Sequence, residues 1–172
     1  MSMFVSINDP RIILDLRYTT TNNIANKIIS NIKELRLEKN AGSMLIVAVN
    51  KLYEAGYKLV IWDSYRSEAT QSELRLVCSD DNFVALYSNH CLGLAIDVTL
   101  ADVKGKLLDM GTDFDDFISK ANSNARNVSQ LVKNNRKILK DAMESNGFEQ
   151  DKHEWWHFDF CTSNPVLEKS EL

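Results

Sequence analysis

The stretch that most constrains this chain is Ser88–Asp97, S-N-H-C-L-G-L-A-I-D, because it sets two potential metal ligands, His90 and Asp97, seven residues apart with Gly93 between them. A glycine there lets the backbone turn or pass close to another segment. Two ligands do not make a site: a catalytic zinc usually takes three protein ligands and keeps a fourth position for water. The chain has three histidines, and the candidate for the missing imidazole is His157, in the run His153-Glu154-Trp155-Trp156-His157. Glu154 stands three residues before it, close enough to touch water at a metal without binding the metal itself. The residues therefore predict a site of His90, Asp97 and His157 with Glu154 as a candidate general base. Each half also has a plainer reading. A His and an Asp at the start of an apolar strand often form a satisfied polar pair, and Glu-Trp-Trp-His alone describes an aromatic strand with polar residues at its rim. What favours a site is the combination, since two of the three histidines fall among acids and apolar, strand-like neighbours.

At 172 residues the chain fits one domain, residues 1–172, long enough to bury a core without disulfides. A net charge of -4 and the lack of a basic stripe with interleaved aromatics argue against a nucleic-acid partner. Cys78, Cys91 and Cys161 are an odd number at no metal-finger spacing, and read as reduced thiols. Cys91, beside His90, has the chemistry of a ligand, but a buried apolar thiol is the simpler role. No basic region followed by a long apolar core opens the chain, and no run approaches the ~18 apolar residues of a membrane span. The expectation is a cytoplasmic protein with no membrane partner. The final Lys169-Ser170-Glu171-Leu172 resembles an endoplasmic-reticulum retention signal, but with no entry signal it is set aside.

Along the chain, Asp9-Pro10 opens a turn and residues 12–18 read as a strand or extended segment. Apolar Met44, Leu45, Val47, Ala48 and Leu52 recur at helical spacing between about 38 and 55, and Gly56 stands where a helix would end. Residues 57–62 (Y-K-L-V-I-W) read as a buried strand that delivers Asp63-Ser64-Tyr65-Arg66, and a second helix is expected over 67–77. A strand over 94–100 leads to a hairpin turn around Gly105. Leu131, Ile138, Leu139, Ala142 and Met143 mark a helix over about 129–145, ended by Asn146-Gly147. Phe148 and then Trp155 to Phe160 form the last strand, and the tail from Thr162 on is expected to be poorly ordered. Strands and helices do not alternate regularly, which predicts an α+β fold with a central, mainly antiparallel sheet flanked by helices.

With these segments placed, the chain resembles the VanX-type D-alanyl-D-alanine dipeptidases, within the larger family of zinc D-Ala-D-Ala peptidases. The matches are D-L-R-Y at 15–18, W-D-S-Y-R at 62–66, S-x-H-x-x-G-x-A-x-D at 88–97 followed by V-T-L, D-M-G-T-D-F-D at 109–115, N-R-K-I-L at 135–139, G-F at 147–148 and E-W-W-H-F at 154–158. D-L-R-Y and M-G-T-x-F-D point to the dipeptidases, while the metal motif and E-W-W-H are shared with relatives of other specificity. The resemblance implies the D-Ala-D-Ala peptidase, hedgehog-like fold, one Zn²⁺ per chain on His90, Asp97 and His157, and Glu154 as catalytic base. It implies that Arg66 faces the scissile carbonyl, Ser88 lies near the substrate carboxylate and Asp115 receives the free ammonium of a small dipeptide substrate. Read without the family, Arg66 is a structural ion pair with Asp63 or a surface arginine at a strand end, and Asp115 a loop acid capping a turn. Three departures touch specificity and leave the metal ligands alone: Arg66-Ser67 where the family usually has Arg-Pro, a segment between Arg66 and Ser88 without the expected prolines, and a short ending after Phe160 that lacks the family's aromatic and proline residues.

Overall fold

A computed structural model of the chain describes residues 3–161, so the tail from Thr162 lies outside the described residues. Its frame is a five-stranded sheet of β2 (Ile12–Leu14), β4 (Tyr57–Asp63), β5 (Ala95–Asp102), β6 (Phe148–Gln150) and β7 (His157–Phe160), in the order β2-β4-β5-β7-β6. Only the β2–β4 pair is parallel. The α+β, mainly antiparallel expectation holds. β4 and β5 lie inside the sheet with both faces covered, and so read as nearly unbroken apolar runs: Leu59, Val60, Ile61, Trp62, Ile96, Val98 and Leu100 are all buried. A separate two-stranded ribbon joins β1 (Phe4–Ile7) to β3 (Leu35–Glu38).

Among the described residues three α-helices pack with these strands, each started by an acceptor side chain at its N-cap. Glu38 accepts from Asn40 N and Ala41 N before α1 (Lys39–Glu54), and Ser129 accepts from Val132 N before α3 (Gln130–Glu144). Ser67 accepts from Thr70 N at 3.2 Å to open α2 (Glu68–Val77), so the residue that departs from Arg-Pro does a cap's work. α1 and α3 pack on each other, α1 against β4 and α3 against β6 and β5. Leu45, Ala48, Val49 and Leu52 bury one stripe of α1, with Val47 turned outward; in α3 Leu139, Ala142 and Met143 are buried and Leu131 is exposed.

The structure corrects three details. Residues 12–18 are not one strand: β2 ends at Leu14, and Arg17–Thr19 form a 3₁₀ turn in which Thr19 N donates to Leu16 O and Asp15 grips Arg17. Trp155 and Trp156 precede the last strand rather than begin it, because Asp151 Oδ1 accepts from His153 N and Glu154 N and holds that segment as a turn. The β1–β3 ribbon has no counterpart in the reading of the sequence. The hairpin at Gly105 is present, with Gly105 N donating to Asp102 O and Asp102 N to Lys106 O.

Two features of the sheet aim the polar residues. Residues paired across antiparallel strands share a face, and Asp97 is paired with His157. On the other edge of β5 the register slips: Ile61 opposes Val98 but Asp63, not Trp62, opposes Asp97. That bulge turns Asp63 toward the same face. The 3₁₀ turn Asn89–Leu92 then closes on Gly93, whose φ is +69°. A Cβ on Gly93 would lie 2.7 Å from Glu38 N and 2.7 Å from Phe4 Cε1, and Glu38 N donates to Gly93 O at 2.9 Å. The glycine is therefore required both for its left-handed backbone and for the close approach of the ribbon. Gly93→Ala is expected to lose about 2–4 kcal/mol, from overpacking plus left-handed strain, as a lowered urea midpoint with unchanged slope.

Candidate metal centre and active site

His90 comes from the 3₁₀ turn, Asp97 from the start of β5 and His157 from the start of β7, so sheet register and one turn bring three sequence-distant donors together. Their ligand atoms all lie within 4.8 Å of one another. His90 Nε2 is 3.3 Å from His157 Nδ1, His157 Nδ1 is 3.0 Å from Asp97 Oδ1, and His90 Nε2 is 3.4 Å from Asp97 Oδ2. Bonds of about 2.0–2.1 Å in a tetrahedral zinc set would put neighbouring donors roughly 3.3–3.4 Å apart, so the spacing fits. The outer atoms agree with it. His90 Nδ1 is 2.7 Å from Ser64 O, and His157 Nε2 is 3.2 Å from Asp159 Oδ1. If each ring gives its proton to that acceptor, both inward nitrogens hold lone pairs that face each other and a carboxylate, an arrangement a cation satisfies. Cys91 is outside this set and is half-buried; all three cysteines are free thiols.

Burial and pairing set the charges. Burial pushes the Asp97 carboxyl up, but His90 and His157 outweigh it and hold it well below the usual carboxylate range. For His157 burial opposes the imidazolium, yet hydrogen bonds to Asp159 and Asp97 raise it well above the usual histidine range. Glu154, buried with its Oε2 4.0 Å from His157 Nδ1, is raised well above an ordinary glutamate, chiefly by desolvation.

These groups line one cavity of about 170 Å³ with Arg66, Ser88, Asp115, Tyr18 and Gln71. That is well below the roughly 300–1,000 Å³ of a drug-sized site, so it suits a small ligand. Arg66 is buried and triply held: Nε donates to Asp63 Oδ2 at 2.8 Å, one terminal nitrogen donates to Gln71 Oε1 at 2.6 Å, and the guanidinium lies 5.0 Å from the Tyr18 ring centre. Its pairing with Asp63 is thus real, and it faces the cavity as well. Ser88 Oγ accepts from His90 N at 3.3 Å and caps the 3₁₀ turn from the cavity wall. Asp115 sits at φ +58°, accepts from Tyr18 OH at 3.1 Å and from Ile24 N at 3.2 Å, and burial pushes its carboxyl up to about 7. The sequence reading left Tyr18, Gln71, Ser64 and Asp159 without roles. D-L-R-Y already singles out Tyr18, and Asp159 lies two residues past His157, on the same strand face; nothing in the sequence marks the Ser64 carbonyl or Gln71.

An acid raised in the folded state favours folding fully below its unfolded value and loses that advantage as pH rises through its folded value. For Asp115 the window runs from the ordinary 3.8 up to about 7. In metal-free, ligand-free protein Asp115→Asn should therefore stabilise near pH 8, by on the order of 1–2 kcal/mol, with the gain fading toward pH 4. Urea unfolding across that range checks the sign.

The family model described as Peptidase_M15, D-ala-D-ala dipeptidase, matches residues 9–169. The chain is 34% identical over 163 residues to a D-alanyl-D-alanine dipeptidase of Escherichia coli (strain K12), covering 92% of this chain and 84% of the relative. It is 29% identical over 168 residues to a D-alanyl-D-alanine dipeptidase of Enterococcus faecalis (strain ATCC 700802 / V583), covering 84% of this chain and 83% of the relative. Among solved structures, the vancomycin resistance D,D-dipeptidase VanXYg in complex with a D-Ala-D-Ala phosphinate analog shares the fold, at a TM-score of 0.50 and 18% identity over 99% of this chain and 74% of that one. By its sequence match over most of its length, the chain belongs to the Peptidase_M15 family of D-ala-D-ala dipeptidases and is a metallopeptidase.

Proposed function

We propose that this chain, acting as one domain, hydrolyses the free dipeptide D-Ala-D-Ala to two D-alanines with one zinc held by His90, Asp97 and His157. The observation that carries the proposal is the convergence of those three donors, at 3.0–3.4 Å from one another, beside Glu154 and Arg66 in a small cavity. Zinc in such a set supplies Lewis acidity, brings the pKa of water to about 7 and offsets the burial that raises Glu154. Glu154 then takes the proton of the attacking water and delivers it to the departing amine, a role worth typically ~10²–10⁴ in rate. Arg66, pre-oriented by Asp63 and Gln71, meets the charge that develops on the carbonyl oxygen; its guanidinium stays protonated at working pH, and a donor of this kind is worth ~3–4 kcal/mol in the transition state.

Substrate choice follows from the ends of the dipeptide. Its ammonium pairs with Asp115, and its carboxylate lies by Ser88. Acylating the amine removes the cation and leaves a buried acid without its partner, a costly state that favours the free dipeptide over longer peptides. The role we assign is peptidoglycan turnover or resistance to glycopeptide antibiotics. A cytoplasmic location belongs to the same proposal and is supported by the three free thiols. No helix of the described residues is long and apolar enough to cross a membrane.

The test is D-alanine release from D-Ala-D-Ala and from its N-acetyl form, with zinc-loaded protein and a chelated control. Zinc-dependent cleavage of the free dipeptide alone is expected; cleavage of both forms would instead make the chain a D,D-carboxypeptidase. Glu154→Gln should keep its zinc and lose ~10²–10⁴ in kcat, and near-normal turnover would remove Glu154 from the role of base.

A further inference from the structure

We propose that Asp159 is a positioning residue which, together with Asn89, holds the His157 ring so that Nδ1 rather than Nε2 is offered to the metal. This rests on the metal-centre reading above. An imidazole can ligate through either nitrogen, and the one left free is decided by what binds the other. For His90 the choice is made by a backbone carbonyl, Ser64 O at 2.7 Å, which stays in place whatever side chain occupies position 64. For His157 the choice falls to a side chain, Asp159 Oδ1 at 3.2 Å from Nε2.

Asp159 is placed for this by β7 itself. It follows His157 by two residues, so both project from one face of the strand, and the register sets it opposite Ala95 while His157 stands opposite Asp97. Asn89 Nδ2 donates to the same Oδ1 at 3.0 Å. Asn89 immediately precedes His90 and belongs to the same 3₁₀ turn. A run of two hydrogen bonds therefore ties the turn that carries one imidazole to the far nitrogen of the other. Asp159's side chain is 38% exposed, so solvent screens its charge and orientation is the greater part of what it supplies.

The experiment measures zinc affinity by chelator competition in wild type, Asp159→Ala, Asp159→Asn and Asn89→Ala. ¹⁵N NMR of the zinc-loaded proteins reads which His157 nitrogen carries the proton. Asp159→Ala should weaken zinc by about 10–100-fold and lose the single Nε2–H form, as removal of an outer partner of a metal-bound histidine does. Asp159→Asn, still an acceptor, should recover much of that affinity, and Asn89→Ala should lose a smaller part. Wild-type zinc affinity and an unchanged Nε2–H signal in both Asp159→Ala and Asn89→Ala would overturn the proposal. Should Asp159→Ala fail to fold, unchanged affinity in Asn89→Ala, which alters only an exposed side chain, overturns it alone. A wild-type protein that binds no zinc would instead bring down the metal-centre reading, and this inference with it.

Discussion

The constraint on which this structure turns is the pairing of Asp97 with His157 across β5 and β7. Two electron-rich groups and a third, His90, converge where each would lose water and none supplies an obvious proton for the others. Without a cation, hydrogen bonds to Asp159 and Asp97 favour the charged form of His157, which raises it despite its burial. With one, the same atoms become ligands whose outer hydrogen bonds are already in place. Sheet register contributes two of the three positions, and the Gly93 turn, docked on the β1–β3 ribbon through Glu38, contributes the third.

Around that cluster the fold tolerates several buried ionisable groups that a core made only for stability would exclude. Asp63 is pushed up by burial although Arg66 and His90 pull the other way, and Glu154 and Asp115 are raised mainly by desolvation. Each costs free energy to bury, offset in part by Arg66 beside Asp63 and by the Tyr18 hydroxyl and Ile24 N on Asp115. Aromatic packing offsets part of that cost. Trp62, Phe114, Trp155 and Trp156 stack tilted or edge-on behind the site, with centroids 5.3–5.9 Å apart. They form a rigid floor against which the polar groups keep their angles.

Much of this is legible in the sequence because it is carried by local chemistry. Helix caps, the apolar runs of β4 and β5, the turn at Gly105 and the convergence of His90, Asp97 and His157 follow from residue type and spacing. What is not legible depends on distant partners. The β1–β3 ribbon consists of two four-residue strands whose burial comes from α1 and from each other, so neither stands out alone. Trp155 and Trp156 look like strand because they are aromatic, but a side-chain acceptor, Asp151, holds them in a turn. The hold of Gln71 on Arg66 bridges the start of α2 to its interior, and its other hand, Nε2 on Ala85 O at 2.6 Å, reaches a loop that no periodicity predicts.

The extra residue at the end of β4 separates two tasks within one strand. Up to Ile61 the alternation of side chains answers to the hydrophobic core; beyond it the phase is reset, and Asp63 answers to Arg66 and His90. The two halves can therefore change independently. Substitutions among Leu59, Val60 and Ile61 act on packing without swinging the arginine's anchor, whereas regular pairing without the bulge would set the Trp62 indole, and not the Asp63 carboxylate, opposite Asp97. The kind of change each half absorbs should thus switch at this point: before it, apolar replacements that keep volume; after it, only those that keep the carboxylate and its phase.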